Sequence, residues 1–111
     1  MRLCKCGSPF SSPTFSLAQQ QVYSAISRVE NCIKWLNPGC LKYAHQPEAA
    51  RGPHGYAVFP RLIDGQAALW LRVQAGRGRT VWEFLSGYNP GVPNYPFWVA
   101  ATTGLDLEDV L

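Results

Sequence analysis

Residues 56–73 read YAVFPRLIDGQAALWLRV, two apolar runs around an Asp64-Gly65 pair. Asp-Gly between such runs is a strong signal for a two-residue type I′ hairpin, because both central residues take positive φ and glycine does so at no steric cost. Pairing Ile63 with Gln66 fixes every other partner. One face then collects Leu62 with Ala67, Pro60 with Leu69, Val58 with Leu71 and Tyr56 with Val73, all apolar. The opposite face collects Arg61 with Ala68, Phe59 with Trp70 and Ala57 with Arg72. A one-residue slip would mix the two sets, so the pattern supports its own register. Pro60 cannot donate to a ladder, which places its strand at a sheet edge.

Downstream, residues 74–82 read QAGRGRTVW, and GRGRT becomes the tip of a second hairpin if Thr80 to Leu85 pairs back on the preceding strand. That segment is rich in β-branched, aromatic and other apolar residues, which favours a strand. A rival reading exists: Thr80 and Glu83 are spaced as a capping box, and Gly87 could end a short helix. Residues 86–96, SGYNPGVPNYP, form a Pro/Gly loop holding Tyr88 and Tyr95, and Phe97 to Thr102 suits a fourth strand. Asp106 as N-cap, between Leu105 and Val110, suggests a short C-terminal helical turn.

Upstream, Phe15, Val22, Ile26, Val29, Ile33 and Leu36 recur at helical spacing, with Ser16 and Gln19 forming a capping box and Asn37-Pro38-Gly39 a stop. Glu30 and Lys34 make a favourably oriented i, i+4 pair on that helix. The expected architecture is therefore α+β: one long N-terminal amphipathic helix on an antiparallel sheet of three or four strands, closing in a helical turn. Residues 1–13, with GSPFSSP at 7–13, read as a flexible lead, and 14–111 as a single domain.

At 111 residues, 47% hydrophobic and 15% charged, the chain has the composition of one folded domain. No window approaches membrane-spanning length and the N-terminus lacks an apolar signal core, so a cytoplasmic location without a membrane partner is expected. All ten basic residues lie at or before Arg79, against three acidic ones, a balance of +7; from Val81 onward the balance is −4. Cys4, Cys6, Cys32 and Cys40, even with His45 and His54, match no common zinc spacing, and reduced thiols with Cys32 as a packed hydrophobe are expected. No metal and no cofactor is expected.

GRGRT lacks the Lys of a phosphate-gripping loop, and its glycines suit turning more than cradling. The more informative feature is the mixed sheet face, where aromatic rings lie among guanidinium groups. Rings and guanidinium groups together are typical of protein-interface anchors and also stack nucleic-acid bases. The functional expectation is a noncatalytic binding protein that docks a protein partner through Phe59, Arg61, Trp70, Arg72, Arg77, Arg79, Tyr88 and Tyr95. The alternative is single-stranded nucleic acid on the same face, with Arg77 and Arg79 on the backbone; self-association through it is also open. A second alternative is a small cysteine-dependent enzyme using Cys32 or Cys40 with His45 or His54.

Overall fold

Asp64 and Gly65 lie inside a helix. The computed structural model describes residues 15–111. It contains four helices, α1 (Leu17–Val29), α2 (Leu62–Gln74), α3 (Val81–Tyr88) and α4 (Tyr95–Thr103), with one pair of two-residue strands, β1 (Ala50–Arg51) and β2 (Ala57–Val58). The expected three- or four-stranded sheet is absent: among the described residues the sheet is β1 with β2 alone, antiparallel, Ala50 opposite Val58. The proposed flexible lead lies outside the described residues.

The helix α2 wins over the hairpin for a packing reason. Its buried positions are Gly65, Ala68, Leu69 and Val73, a spacing of period 3.6. Gly65 is there because a Cβ would fall 1.9 Å from the Leu36 carbonyl oxygen, so the glycine admits a backbone rather than making a turn. Asp64 sits in the first turn, where a carboxylate meets the positive helix end, and accepts two 3.0 Å hydrogen bonds from Arg61. Trp70 stacks on Tyr23 of α1, ring centroids 4.0 Å apart and 10° from parallel. Leu71, the next residue, is exposed.

Helix α1 opens on the Ser16/Gln19 capping box, with Gln19 N–H donating to Ser16 Oγ at 3.1 Å and Ser16 N–H to Gln19 Oε1 at 3.1 Å. It ends well short of the expected stop. Asn31 takes φ 33° and Leu36 φ 52°, with a single 3₁₀ turn, Ile33–Trp35, between them. A disulfide joins Cys32 to Cys40, Cα atoms 5.1 Å apart, and the Cys32 and Asn37 backbones exchange hydrogen bonds of 3.1 and 3.2 Å. The chain therefore turns away, leaving Ile33 70% exposed instead of on the core stripe. Reduced, packed thiols are thus replaced by a bridge. Cys4 and Cys6 lie outside the described residues.

Asn37 holds the following loop. Its side chain, fully buried, donates Nδ2 hydrogens to the carbonyls of Leu41 at 3.0 Å and Ala57 at 2.9 Å, and accepts the Leu41 N–H at 3.0 Å. A small core of Leu41, Ala57, Phe59 and Ala68 packs beside it. The main core gathers Val22, Ala25 and Ile26 of α1, Leu69 and Val73 of α2, Val81, Phe84 and Leu85 of α3, and Tyr95 and Val99 of α4.

Between Thr80 and Leu85 the capping box prevails over the strand: Thr80 Oγ1 accepts the Glu83 N–H at 3.1 Å and Glu83 Oε1 accepts the Thr80 N–H at 2.9 Å. The expected fourth strand is α4. In place of the expected C-terminal helical turn, a segment with one hydrogen-bonded turn, Asp109 N–H to Asp106 O at 3.3 Å, crosses the α2–α3 turn, where Val81 N–H donates to Asp109 O, Trp82 N–H to Leu107 O and Leu111 N–H to Arg79 O. Asp106 accepts the Glu108 N–H at 2.9 Å in a local turn and caps no helix. Two otherwise unpaired amides at the start of α3 are thereby satisfied, and Leu111 is buried in the core.

Candidate functional site

Two cavities meet at the C-terminal end of α1. One, of about 650 Å³, is bordered by α4 and the preceding loop, with Val92, Pro93, Asn94, Tyr95, Phe97 and Trp98 on its walls. The other, of about 340 Å³, is walled by the Cys40–Lys42 segment, Tyr56, Arg72 and Tyr88. Glu30 and Asn89 line both, so they stand at the junction. Glu30 is the one carboxylate on either wall.

Glu30 caps α1, its N–H donating to Ile26 O at 2.8 Å. This is the negative end of the helix, a poor place for an anion, so helix stability does not account for a carboxylate there. Tyr95, the first residue of α4 and 2% exposed, donates its hydroxyl to Glu30 Oε2 at 2.5 Å. Oε1 has no partner among the described residues. Burial, followed by the hydrogen bond and charge of Glu30, raises the Tyr95 pKa well above the ordinary phenol value, so its hydroxyl stays a donor. Tyr88 donates to Gly39 O at 2.5 Å, and burial, then the Glu30 charge, raises its pKa as well. The disulfide sulfur of Cys40 lies 3.1 Å from the Glu30 carbonyl oxygen; lacking a hydrogen, it makes a packing contact there.

The two sides of the junction differ in chemistry. Towards α4 the walls are apolar and aromatic, with Phe97 57% and Trp98 51% exposed at the rim and the Asn89 and Asn94 amides between. Towards α2 they are cationic. The Arg72 guanidinium lies 4.8 Å from the Phe84 ring centroid and 5.3 Å from that of Tyr88, and burial lowers its pKa from the usual arginine value. Lys42 Nζ is 3.8 Å from the Tyr56 centroid. A third cavity, of about 510 Å³ between α1 and residues 103–109, has Arg28, Asp106 and Asp109 on its wall, and no hydrogen bond from a buried tyrosine holds either carboxylate as Tyr95 holds Glu30.

Of the residues expected to form one binding face, Arg72, Tyr88 and Tyr95 come together around this junction, and the rest do not. Phe59 is buried in the small core, Trp70 is stacked on Tyr23, and Arg61 is engaged by Asp64. Arg77 and Arg79 are exposed on the α2–α3 turn. The mixed face does not exist, because its alternation belongs to a strand and the backbone is helical. The cysteine-histidine arrangement fails too: the Cys32–Cys40 bridge leaves neither thiol to act, and His45 instead meets the Tyr43 hydroxyl at 3.0 Å. No group of three or more His, Cys, Asp or Glu side chains among the described residues could hold a metal ion. No helix of those residues is long and apolar enough to cross a membrane.

Glu30 was missed because its spacing to Lys34 accounts for it as a surface ion pair. No sequence signal marks it, because the apolar stripe continues to Leu36 and hides the helix end at Val29. Compared with protein-family models, curated proteins and solved structures, the chain matches none.

Proposed function

We propose that the chain binds a saccharide polymer across the junction of the two cavities and that Glu30 is the general acid for cleavage of a glycosidic bond. The observation that carries this reading is the sole carboxyl of the groove, held through Oε2 by a buried tyrosine, with Oε1 left for a ligand. A pyranose ring offers an apolar C–H face that packs on an aromatic ring and a rim of hydroxyls that amides can hydrogen-bond. Trp98 and Phe97 supply the first, Asn89 and Asn94 the second.

In the step itself Glu30 takes up a proton on Oε1 from solvent, with Oε2 still held by Tyr95, and gives it to the glycosidic oxygen as the C1–O bond breaks, so that the leaving sugar departs as an alcohol. With one carboxyl in the groove, the nucleophile at C1 is a neighbouring group of the sugar itself, and water then opens the resulting ring as the Glu30 carboxylate takes its proton. The Tyr95 hydroxyl keeps the carboxyl oriented and takes back negative charge on Oε2 after transfer.

The disulfide supports work in an oxidising compartment over the reducing cytosol expected from the sequence. A second reading, a noncatalytic dock for a protein partner, draws on the exposed apolar rim of Val92, Phe97 and Trp98.

Release of reducing ends from β-linked N-acetylglucosamine and uronic-acid oligomers tests the proposal. Glu30→Gln keeps the Tyr95 hydrogen bond and removes the proton, and turnover should fall by about a hundredfold or more while binding persists. Equal turnover by the variant refutes the role of Glu30. Binding without any turnover in either protein favours the dock.

A further inference from the structure

We infer that Arg72 is the specificity-determining residue of the groove, receiving a carboxylate substituent of the bound saccharide on the side of the junction away from Trp98. The inference rests on the saccharide reading above and adds which sugars are taken.

Arg72 carries five N–H donors in a planar fork, the shape that pairs with a carboxylate through two parallel hydrogen bonds. Among the described residues none of these donors has an acceptor, and the ion pair formed there is Arg61 with Asp64, elsewhere. Removing a guanidinium from water without a counter-charge is unfavourable, and the rings of Phe84 and Tyr88 at 4.8 and 5.3 Å offset only part of it. Those rings do fix where the fork sits, so a ligand loses little freedom on meeting it. Glu30, across the same cavity, is engaged by Tyr95 and forms no ion pair with Arg72. Lys42 adds a second positive charge to that wall, and a smaller cavity of about 220 Å³ behind Arg72 has Arg79 on its wall with Glu83 beside it, so the excess of positive charge comes from Arg72 and Lys42. Positive charge is thus gathered on one side of the scissile position while the other side is neutral and aromatic. A polymer in which an acidic sugar precedes a neutral one fits that division.

Calorimetric titration of the intact chain with a galacturonic acid tetramer and an N-acetylglucosamine tetramer reads the preference. The acidic tetramer should bind more tightly, and Arg72→Met should weaken it by about tenfold or more while leaving the neutral tetramer unchanged. Lys42→Met, at an exposed position that cannot unfold the core, should weaken the acidic tetramer by a smaller factor and raises no question of folding. An unchanged ratio of acidic to neutral affinity in both variants overturns the inference and leaves the saccharide reading standing. If neither tetramer binds, the saccharide reading fails, and succinate then decides the anion site alone. A succinate-dependent shift of the Arg72 Nε–H NMR signal, lost in Arg72→Met, supports it; no shift overturns it.

Discussion

Gly65→Ala sets two opposed effects against each other at the position that decides the fold. Alanine in a helix interior is favoured over glycine by ~1 kcal/mol, so an unconstrained helix would gain stability. Here the new methyl would meet the Leu36 carbonyl oxygen at 1.9 Å, and the Pro38 ring at 3.0 Å. Relief needs the two backbones to part by about 1.5 Å, the gap between 1.9 Å and the 3.4 Å at which ordinary contact begins. Leu36 cannot yield alone, being held between the Cys32–Cys40 bridge and the buried Asn37 side chain. Overpacking of this kind costs about 1–3 kcal/mol, and a backbone partner places it at the upper end. The expected net loss is therefore ~2 kcal/mol after the helix gain, or a Tm fall of roughly 8–10 °C for a domain of this size. Thermal and urea unfolding followed by far-ultraviolet circular dichroism measure it. Ala67→Gly, on the exposed side of the same helix, calibrates propensity alone and should lose ~1 kcal/mol. A Gly65→Ala protein as stable as the parent, or more so, refutes the close approach of α2 to the 36–38 turn.

Asn37→Ala should lose about 2–4 kcal/mol in urea unfolding, because Leu41 N–H and the Ala57 carbonyl lose buried partners; Asn37→Asp should be worse, as it turns a carboxylate on two carbonyls, and a milder Asp variant contradicts the network. Replacing Cys32 and Cys40 by alanine frees a loop of sequence separation 8 and should cost about 2.5 kcal/mol by the chain-entropy relation; an unchanged urea midpoint argues against the bridge. Tyr88 and Tyr95 have raised pKa values when folded, mainly through burial, so the unfolded chain ionises first. The stability they contribute is complete below roughly pH 10 and declines above it, and Tyr95→Phe should flatten that alkaline decline; an unaltered pH profile for the variant contradicts the burial.

The legible parts of the fold were those fixed by a few neighbouring residues. Ser16 with Gln19 and Thr80 with Glu83 are reciprocal caps whose donors and acceptors lie within three positions, and both form; at Thr80 the cap competed with strand propensity and prevailed because the C-terminal segment satisfies the adjacent amides. What was not legible depends on contacts distant in sequence. Gly65 looks like a turn glycine until Leu36 is known to lie against it, and Asp64 looks committed to that turn until Arg61 is seen to hold it at a helix start. The spacing of Gly65, Ala68, Leu69 and Val73 carries the helical period, but Asp-Gly between two apolar runs carries the hairpin signal just as plainly, and only the contact with Leu36 separates them. Helix α1 was read through Leu36 because its stripe continues past Val29, whereas a covalent bridge turns the chain back. Glu30 became a site only when α4 brought Tyr95 to it from 65 positions away.

Completion of this fold waits on residues 105–111. A nascent chain that has not yet released residues 105–111 from the ribosome has α3 with bare amides and a core missing Leu111, although every helix has already been synthesised. Such a chain keeps an uncovered apolar seam until residues 105–111 emerge, and fragments that lack them should be clients for chaperones and substrates for proteases rather than partly active domains.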